Sequence, residues 1–254
     1  MILAGGKPLP ADFSAGLDAV SKAALDAMQA DDGTFSYDSP EQLAFELAVR
    51  NATVASALRL YRSGMDFAVF RKTRCNEAYW RRTREGGFVL RDGASPSAAI
   101  RDIFENGRAY ATECATAMVI VFYGALLEVL GDEAFDRMFP RIELMDWHYL
   151  YGALGSLNMM TKRRIYLPGD RRYFANPDVD PSTPEWQGEN VIELGDGRFY
   201  GHGVGIYPAE GIVRALNRNR ERGAETSAYL MDAASRPDYK ALFTAYQQGQ
   251  RARA

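Results

Sequence analysis

Glu113-Cys-Ala-Thr-Ala-Met-Val-Ile-Val-Phe-Tyr-Gly-Ala-Leu-Leu-Glu-Val-Leu-Gly131 is the most apolar run of this 254-residue chain, and its reading decides the fold. From 115 to 130 apolar side chains fall nearly all round a helical cylinder, and Gly131 is the stop. A helix without a water-facing side belongs at the centre of a core. Upstream, Ser39-Pro40-Glu41-Gln42 is a capping-box signal with proline at the first helical position, and Gly64 closes the helix it opens. Leu43, Leu47, Val54, Leu58 and Tyr61 lie near one stripe of that helix. Ser95-Pro96 starts a further helix that Asn106-Gly107 ends, and another is expected over 209–222, stopped by Gly223.

Strand signals surround these helices. Residues 67–71, 78–82 and 88–90 are rich in β-formers, the last two reading as a hairpin across Gly86-Gly87. Further strands are expected at Tyr173-Phe174, at Val191-Ile192 and over 198–202. The sum is α+β, a buried helix carrying Cys114 against a mainly antiparallel sheet. The chain reads as a single catalytic domain over 1–254, with 1–35 and 237–254 peripheral and the tail after Gln247 disordered.

Composition narrows the function. A formal net charge of -3 gives no general attraction to nucleic acid or an anionic membrane. The opening MILAGGKPLP lacks a charged n-region and a long apolar stretch, and no later segment has the length of a membrane span, so the expectation is a protein made in the cytoplasm without a signal peptide. Two cysteines, Cys75 and Cys114, exclude a disulfide scaffold and a cysteine-rich zinc cluster. Asp178-Val-Asp180 lacks calcium-loop spacing, and no metal or cofactor is expected.

Cys114 stands where the buried helix begins, beside unpaired backbone amides and the positive helix end, a place that favours thiolate. A thiolate nucleophile needs a proton carrier, and the chain offers two imidazoles, His148 and His202. His202 comes later in the chain on a strand signal, as the base does in papain-like enzymes, while the aromatic neighbours of His148 suit packing. Glu189 and His202 share a hairpin that turns at Gly195-Asp196 or at Asp196-Gly197. The first turn sets Glu189 opposite His202 and the second makes them diagonal, and either puts both on one face. An exposed cross-strand charge pair is the plain alternative. Glu113 either caps the helix or tunes the thiol.

Several blocks carry a resemblance: Glu105-Asn-Gly107, Glu113-Cys-Ala-Thr-Ala117, Asp146-Trp-His-Tyr149, Tyr173-Phe-Ala-Asn-Pro177, Gly188-Glu-Asn-Val-Ile192 and Gly201-His-Gly-Val-Gly-Ile206. In this order they resemble the spore-coat transglutaminases of Bacillus-type bacteria, from Ser39 to Leu230, with residues 150–167 departing from the pattern. The resemblance implies a papain-like core related to cell-wall cysteine peptidases and a calcium-independent protein-glutamine gamma-glutamyltransferase. It places the nucleophile on Cys114 with Glu189 and His202 as partners, and it implies spore-coat proteins bearing Gln and Lys as substrates and the spore coat as location.

The cycle so implied has the Cys114 thiolate attack a glutamine carboxamide, with His202 most simply protonating the ammonia. A lysine amine then loses its proton to His202 or Glu189 and takes the acyl group from the thioester. Aromatic rings must keep water from that thioester, and Phe67, Trp147, Trp186 and Tyr200 are the candidates for a substrate tunnel. The Cys114 backbone amide is one oxyanion donor; a second has no assignment. The rivals are a papain-like amidase or glutamine deamidase using water, and a structural coat protein with a non-working site. The oligomeric state is not legible.

Overall fold

The computed structural model describes residues 1–251. Strands β1 (Ile2–Ala4) and β2 (Lys7–Pro8) form an antiparallel pair, α1 (Ala19–Ala30) follows, and β3 (Phe35–Tyr37) returns parallel to β1. Helix α2 (Pro40–Arg62) begins as its sequence dictates, with the Ser39 side chain accepting from the Gln42 N–H. The expected stripe is only part of its buried surface, for Glu46, Arg50, Thr53 and Ser56 are buried too while Tyr61 is 54% exposed. Helix α1 and the helices Cys114–Leu130 and Tyr239–Arg251 enclose α2 from several sides, so one stripe does not suffice.

The chain continues through β4 (Asp66–Phe67), the hairpin β5 (Trp80–Arg82) and β6 (Phe88–Leu90), α3 (Pro96–Glu105) and β7 (Ala111–Thr112), which lies parallel to β4. The strand expected over 67–71 stops at Phe67 and gives way to a 3-10 turn, Phe70–Lys72. The reason is local: the Phe70 carbonyl accepts from Arg82 Nη2 at 2.8 Å instead of from a sheet partner. Next come α4 (Cys114–Leu130), α5 (Asp132–Met138) and β8 (Glu143–Leu144), which joins β6. Buried side chains surround α4 over most of its length, as its composition requires, and it packs most extensively on α2.

The remaining elements are β9 (Arg171–Ala175), β10 (Gly188–Glu193), β11 (Arg198–Gly201), β12 (Gly205–Pro208), α6 (Ala209–Asn217), β13 (Tyr229–Leu230) and α7 (Tyr239–Arg251). The five strands make one sheet in the order β12-β11-β10-β9-β13, antiparallel throughout. The α+β expectation with a mainly antiparallel sheet holds. Ile192 and Tyr200 face α4 in the main core, whereas Phe174, Val191 and Phe199 pack on Ile212 and Leu216 of α6 behind the sheet.

Three expectations at the ends of elements need correction. Helix α6 stops at Asn217, not 222, because Glu221 N–H turns back to bond Asp178 C=O. The stretch 1–35 is not loosely peripheral: Ile2, Ala4, Leu25 and Met28 build a core with Leu43 and Leu47. Nor is 237–251, since Tyr239 and Leu242 join the main core and α7 stays helical past Gln247; the rest of the expected disordered tail, 252–254, lies outside the described residues. Among the described residues no helix is long and apolar enough to cross a membrane.

Candidate active site

The hairpin that sets the site closes with neither two-residue turn. Leu194 N–H donates to Arg198 C=O at 3.0 Å across the loop Gly195-Asp196-Gly197, and the register pairs Val191 with Gly201 and Glu193 with Phe199. Relative to both expected turns this is a one-residue shift, and one residue exchanges the two faces. Glu189 is therefore in phase with Gly201, and Asn190 with Tyr200. The expectation that Glu189 and His202 share a strand face is overturned.

Asn190 is the residue that reaches the thiol. Its Nδ2 donates to Cys114 Sγ at 3.3 Å. Cys114 is the first residue of α4, and the Glu113 carboxylate caps the same turn, accepting from Ala115 N–H at 2.6 Å and Thr116 N–H at 2.7 Å. The cap fills the positive helix end with a negative group, so the helix start does not favour thiolate as expected. Burial pushes the Cys114 thiol well up, the Glu189 and Glu113 carboxylates push it further, and the Asn190 hydrogen bonds oppose them.

Glu189 is 2% exposed. Its Oε1 accepts from Gly203 N–H at 3.1 Å, and a Cβ on Gly201 would sit 2.6 Å from that oxygen, so glycine at 201 makes the space. Burial raises its carboxyl to about 8, the Gly203 bond working against the shift and Glu113 adding to it. It is no exposed ion pair. His202 lies in the turn after β11, its Nε2 3.1 Å from the Asp66 carbonyl and its Nδ1 3.1 Å from the Tyr200 hydroxyl. A carbonyl only accepts, so Nε2 carries the proton and Nδ1 accepts from Tyr200. Burial depresses the imidazole to about 4, the Asp66 carbonyl opposing.

A cleft of about 450 Å³ opens over Cys114, walled by Phe67, Trp147, Arg171, Tyr173 and Asn190. Phe67 stacks on Trp186, their centroids 6.0 Å apart, and lies 6.3 Å from the His202 ring. Trp186 itself lines a neighbouring cleft with Gly203 and Val204. Of the four rings expected around the thioester, Phe67 and Trp147 thus face the thiol, Trp186 backs Phe67, and Tyr200 is buried behind His202. His148 is exposed and outside the cleft. Cys75 is partly buried and held up at about 11, chiefly by burial.

The sequence reading passed over Asn190, Arg171 and Asp146. Asn190 had a signal, a polar residue in phase with core-facing Ile192. Asp146 adopts φ 49°, and its N–H donates to Thr116 Oγ1 at 2.8 Å. Among the described residues no group of His, Cys, Asp or Glu is arranged to hold a metal ion.

A family model described as protein-glutamine gamma-glutamyltransferase matches residues 1–246, well beyond the 39–230 span of the resembling blocks. The chain is 49% identical over 209 residues to a protein-glutamine gamma-glutamyltransferase of Bacillus licheniformis, covering 82% of this chain and 83% of that one. It is 45% identical over 219 residues to the protein of the same name from Bacillus cereus, 86% and 78% of the two chains. Among solved structures, a transglutaminase from Geobacillus stearothermophilus, without its C-terminal extension, superposes with a TM-score of 0.73 at 46% identity, covering 82% of this chain and 96% of that one. Likeness of this extent in both sequence and fold defines an acyl-transferring enzyme of the transglutaminase class. The chain belongs to the protein-glutamine gamma-glutamyltransferase family.

Proposed function

We propose that Cys114 is the nucleophile of this transferase, on a papain-like core formed by the single catalytic domain, and that it crosslinks glutamine to lysine in proteins of a spore coat. One observation carries the site: Cys114 opens the buried helix, lines the cleft and takes a hydrogen bond from Asn190, the chain neighbour of Glu189, whose carboxyl burial holds at about 8. A group with that value takes a proton from the thiol in one step and returns it in the next at neutral pH. The thiolate attacks the glutamine carboxamide carbon. The tetrahedral adduct collapses as Glu189 protonates the departing ammonia, leaving a thioester on Cys114. A neutral lysine amine attacks that thioester and gives its proton to the Glu189 carboxylate, and the thiol is restored as the isopeptide forms.

Glu189 is a better proton carrier than His202, which the sequence favoured, because the imidazole is depressed to about 4 and both its nitrogens are engaged. His202 then holds the Tyr200 and Asp66 side of the site. Phe67 and Trp147 exclude water from the thioester. The coat proteins as substrates, and the coat as location, rest on the resemblance of the sequence blocks to the spore-coat transglutaminases of Bacillus-type bacteria. The test supplies a glutamine-bearing protein and a labelled primary amine. Amine incorporation with ammonia release supports the transferase, and ammonia release without incorporation makes it a hydrolase.

A further inference from the structure

Asn190 holds a fixed orientation. Its Oδ1 accepts from Arg171 Nε at 2.9 Å and Nη2 at 2.7 Å, which turns Nδ2 toward Cys114 Sγ. A flipped amide would set two N–H groups against the guanidinium, so the Nδ2 and Oδ1 positions follow from chemistry. Arg171 is itself pinned: Nη1 donates to Leu157 C=O at 2.8 Å and Ser235 Oγ at 3.1 Å, and the guanidinium lies 3.9 Å from the Trp147 ring centroid. Both residues are nearly fully buried and both line the cleft. Two N–H bonds from a cation into Oδ1 polarise the amide and strengthen Nδ2 as a donor. That nitrogen has two hydrogens; Sγ takes one, and the other has no protein acceptor among the described residues.

We propose that the Asn190 carboxamide is a catalytic donor, holding the Cys114 sulfur before attack and the oxyanion after it, and that Arg171 positions it. When Sγ bonds to the glutamine carbonyl carbon, the π pair moves to oxygen, and the negative charge forms within one bond length of the carbon that Sγ has just joined. An N–H already on Sγ is within a small shift of that oxygen, and the Cys114 backbone amide supplies the companion donor. Collapse returns the pair to the carbonyl and expels ammonia with a proton from the acid of the site. The inference rests on Cys114 being the nucleophile.

The test uses the full chain with Cys75→Ser, so that alkylation reports on Cys114 alone. In this parent, iodoacetamide must abolish turnover; survival of activity would overturn the nucleophile assignment and this proposal with it. Given that control, Asn190→Asp keeps the bonds to Arg171 and the side-chain volume but puts oxygen where the donor was. Both it and Asn190→Ala are expected to lower kcat by about 10²-fold, with KM for the glutamine donor within about threefold. The pH midpoint for alkylation of Cys114 moves up in both, and Arg171→Met moves it the same way while Arg171→Lys partly restores it. A kcat within about fivefold of the parent in folded Asn190→Asp, or an unmoved alkylation midpoint, overturns the assignment while leaving Cys114 in place.

Discussion

Asp170 and Arg171 are adjacent in the chain and belong to two different buried networks. Asp170 accepts from Arg50 Nη1 at 2.9 Å, from Arg236 Nη2 at 2.5 Å and from Leu167 N–H at 3.0 Å, and Arg50 in turn meets Glu46 at 2.9 Å. There, carboxylates and cations answer one another. On the other side of one peptide bond, Arg171 meets a neutral amide, and of the titratable groups beyond it Glu189 is buried and Cys114 and His202 are half-buried, with no opposite charge bonded to them. Pairing keeps the first network charged and makes it a staple between α2, the start of β9 and the segment leading to α7. Lack of pairing drives the second toward neutral forms, with a carboxyl at about 8 and an imidazole at about 4, the range from which proton transfer is useful.

Three substitutions probe the contrast in falling order of effect. Cys114→Ala should lower turnover by at least about 10⁴-fold with melting unchanged, measured by amine incorporation and by calorimetry. Asp170→Ala should do the reverse. Removing one partner leaves Arg50 and Arg236 facing a buried gap, a cost of about 3–5 kcal/mol in denaturant titration, while the folded fraction at low temperature keeps its kcat. A large kcat loss in well-folded Asp170→Ala would mean that the two networks act as one. Glu189→Gln should cost about 10²-fold or more in kcat without lowering stability at neutral pH; a lowered melting point with kcat intact would make Glu189 a structural residue.

Much of this contrast escapes a reading of the chain. Helix α4 was legible because its whole signal is local, from composition to the Gly131 stop, and so was the Ser39 cap of α2. Cys114 was found at the helix start, although the argument from free amides failed, since Glu113 takes them. The hairpin was legible as a hairpin and wrong by one residue. Gly195 and Gly197 both adopt positive φ, 88° and 80°, so Gly195-Asp196-Gly197 satisfies two-residue and three-residue turns alike, and only packing of Val191 against α6 and Ile192 against α4 selects between them. The charges were less legible still. Nothing near Asp170 or Arg171 says which has a partner, because Arg50 lies 120 residues from the first and Asn190 19 from the second.

The remaining effect is the one that separates the networks by sign. Glu189 ionises near 4.5 when unfolded and near 8 when folded. Between those values the unfolded chain has released a proton that the native protein keeps, so stability falls as pH rises through the window, by at most about 1.4 kcal/mol per pH unit. His202 works the other way. Its folded value near 4 lies below the ordinary 6.5, so acidification through that range protonates the unfolded chain first and lowers stability. The two slopes oppose each other where the windows overlap, and above the upper limit of the histidine window the carboxyl acts alone. Glu113, also raised by burial, has the same sign as Glu189 and is present in both parent and variant. Glu189→Gln should therefore gain stability over the parent as pH rises toward 8 and hold a constant margin beyond it, while His202→Gln should gain only on the acid side. A margin for Glu189→Gln that stays flat with pH would mean the native carboxyl is already ionised, and the neutral acid that protonates ammonia would have to be sought elsewhere in the site.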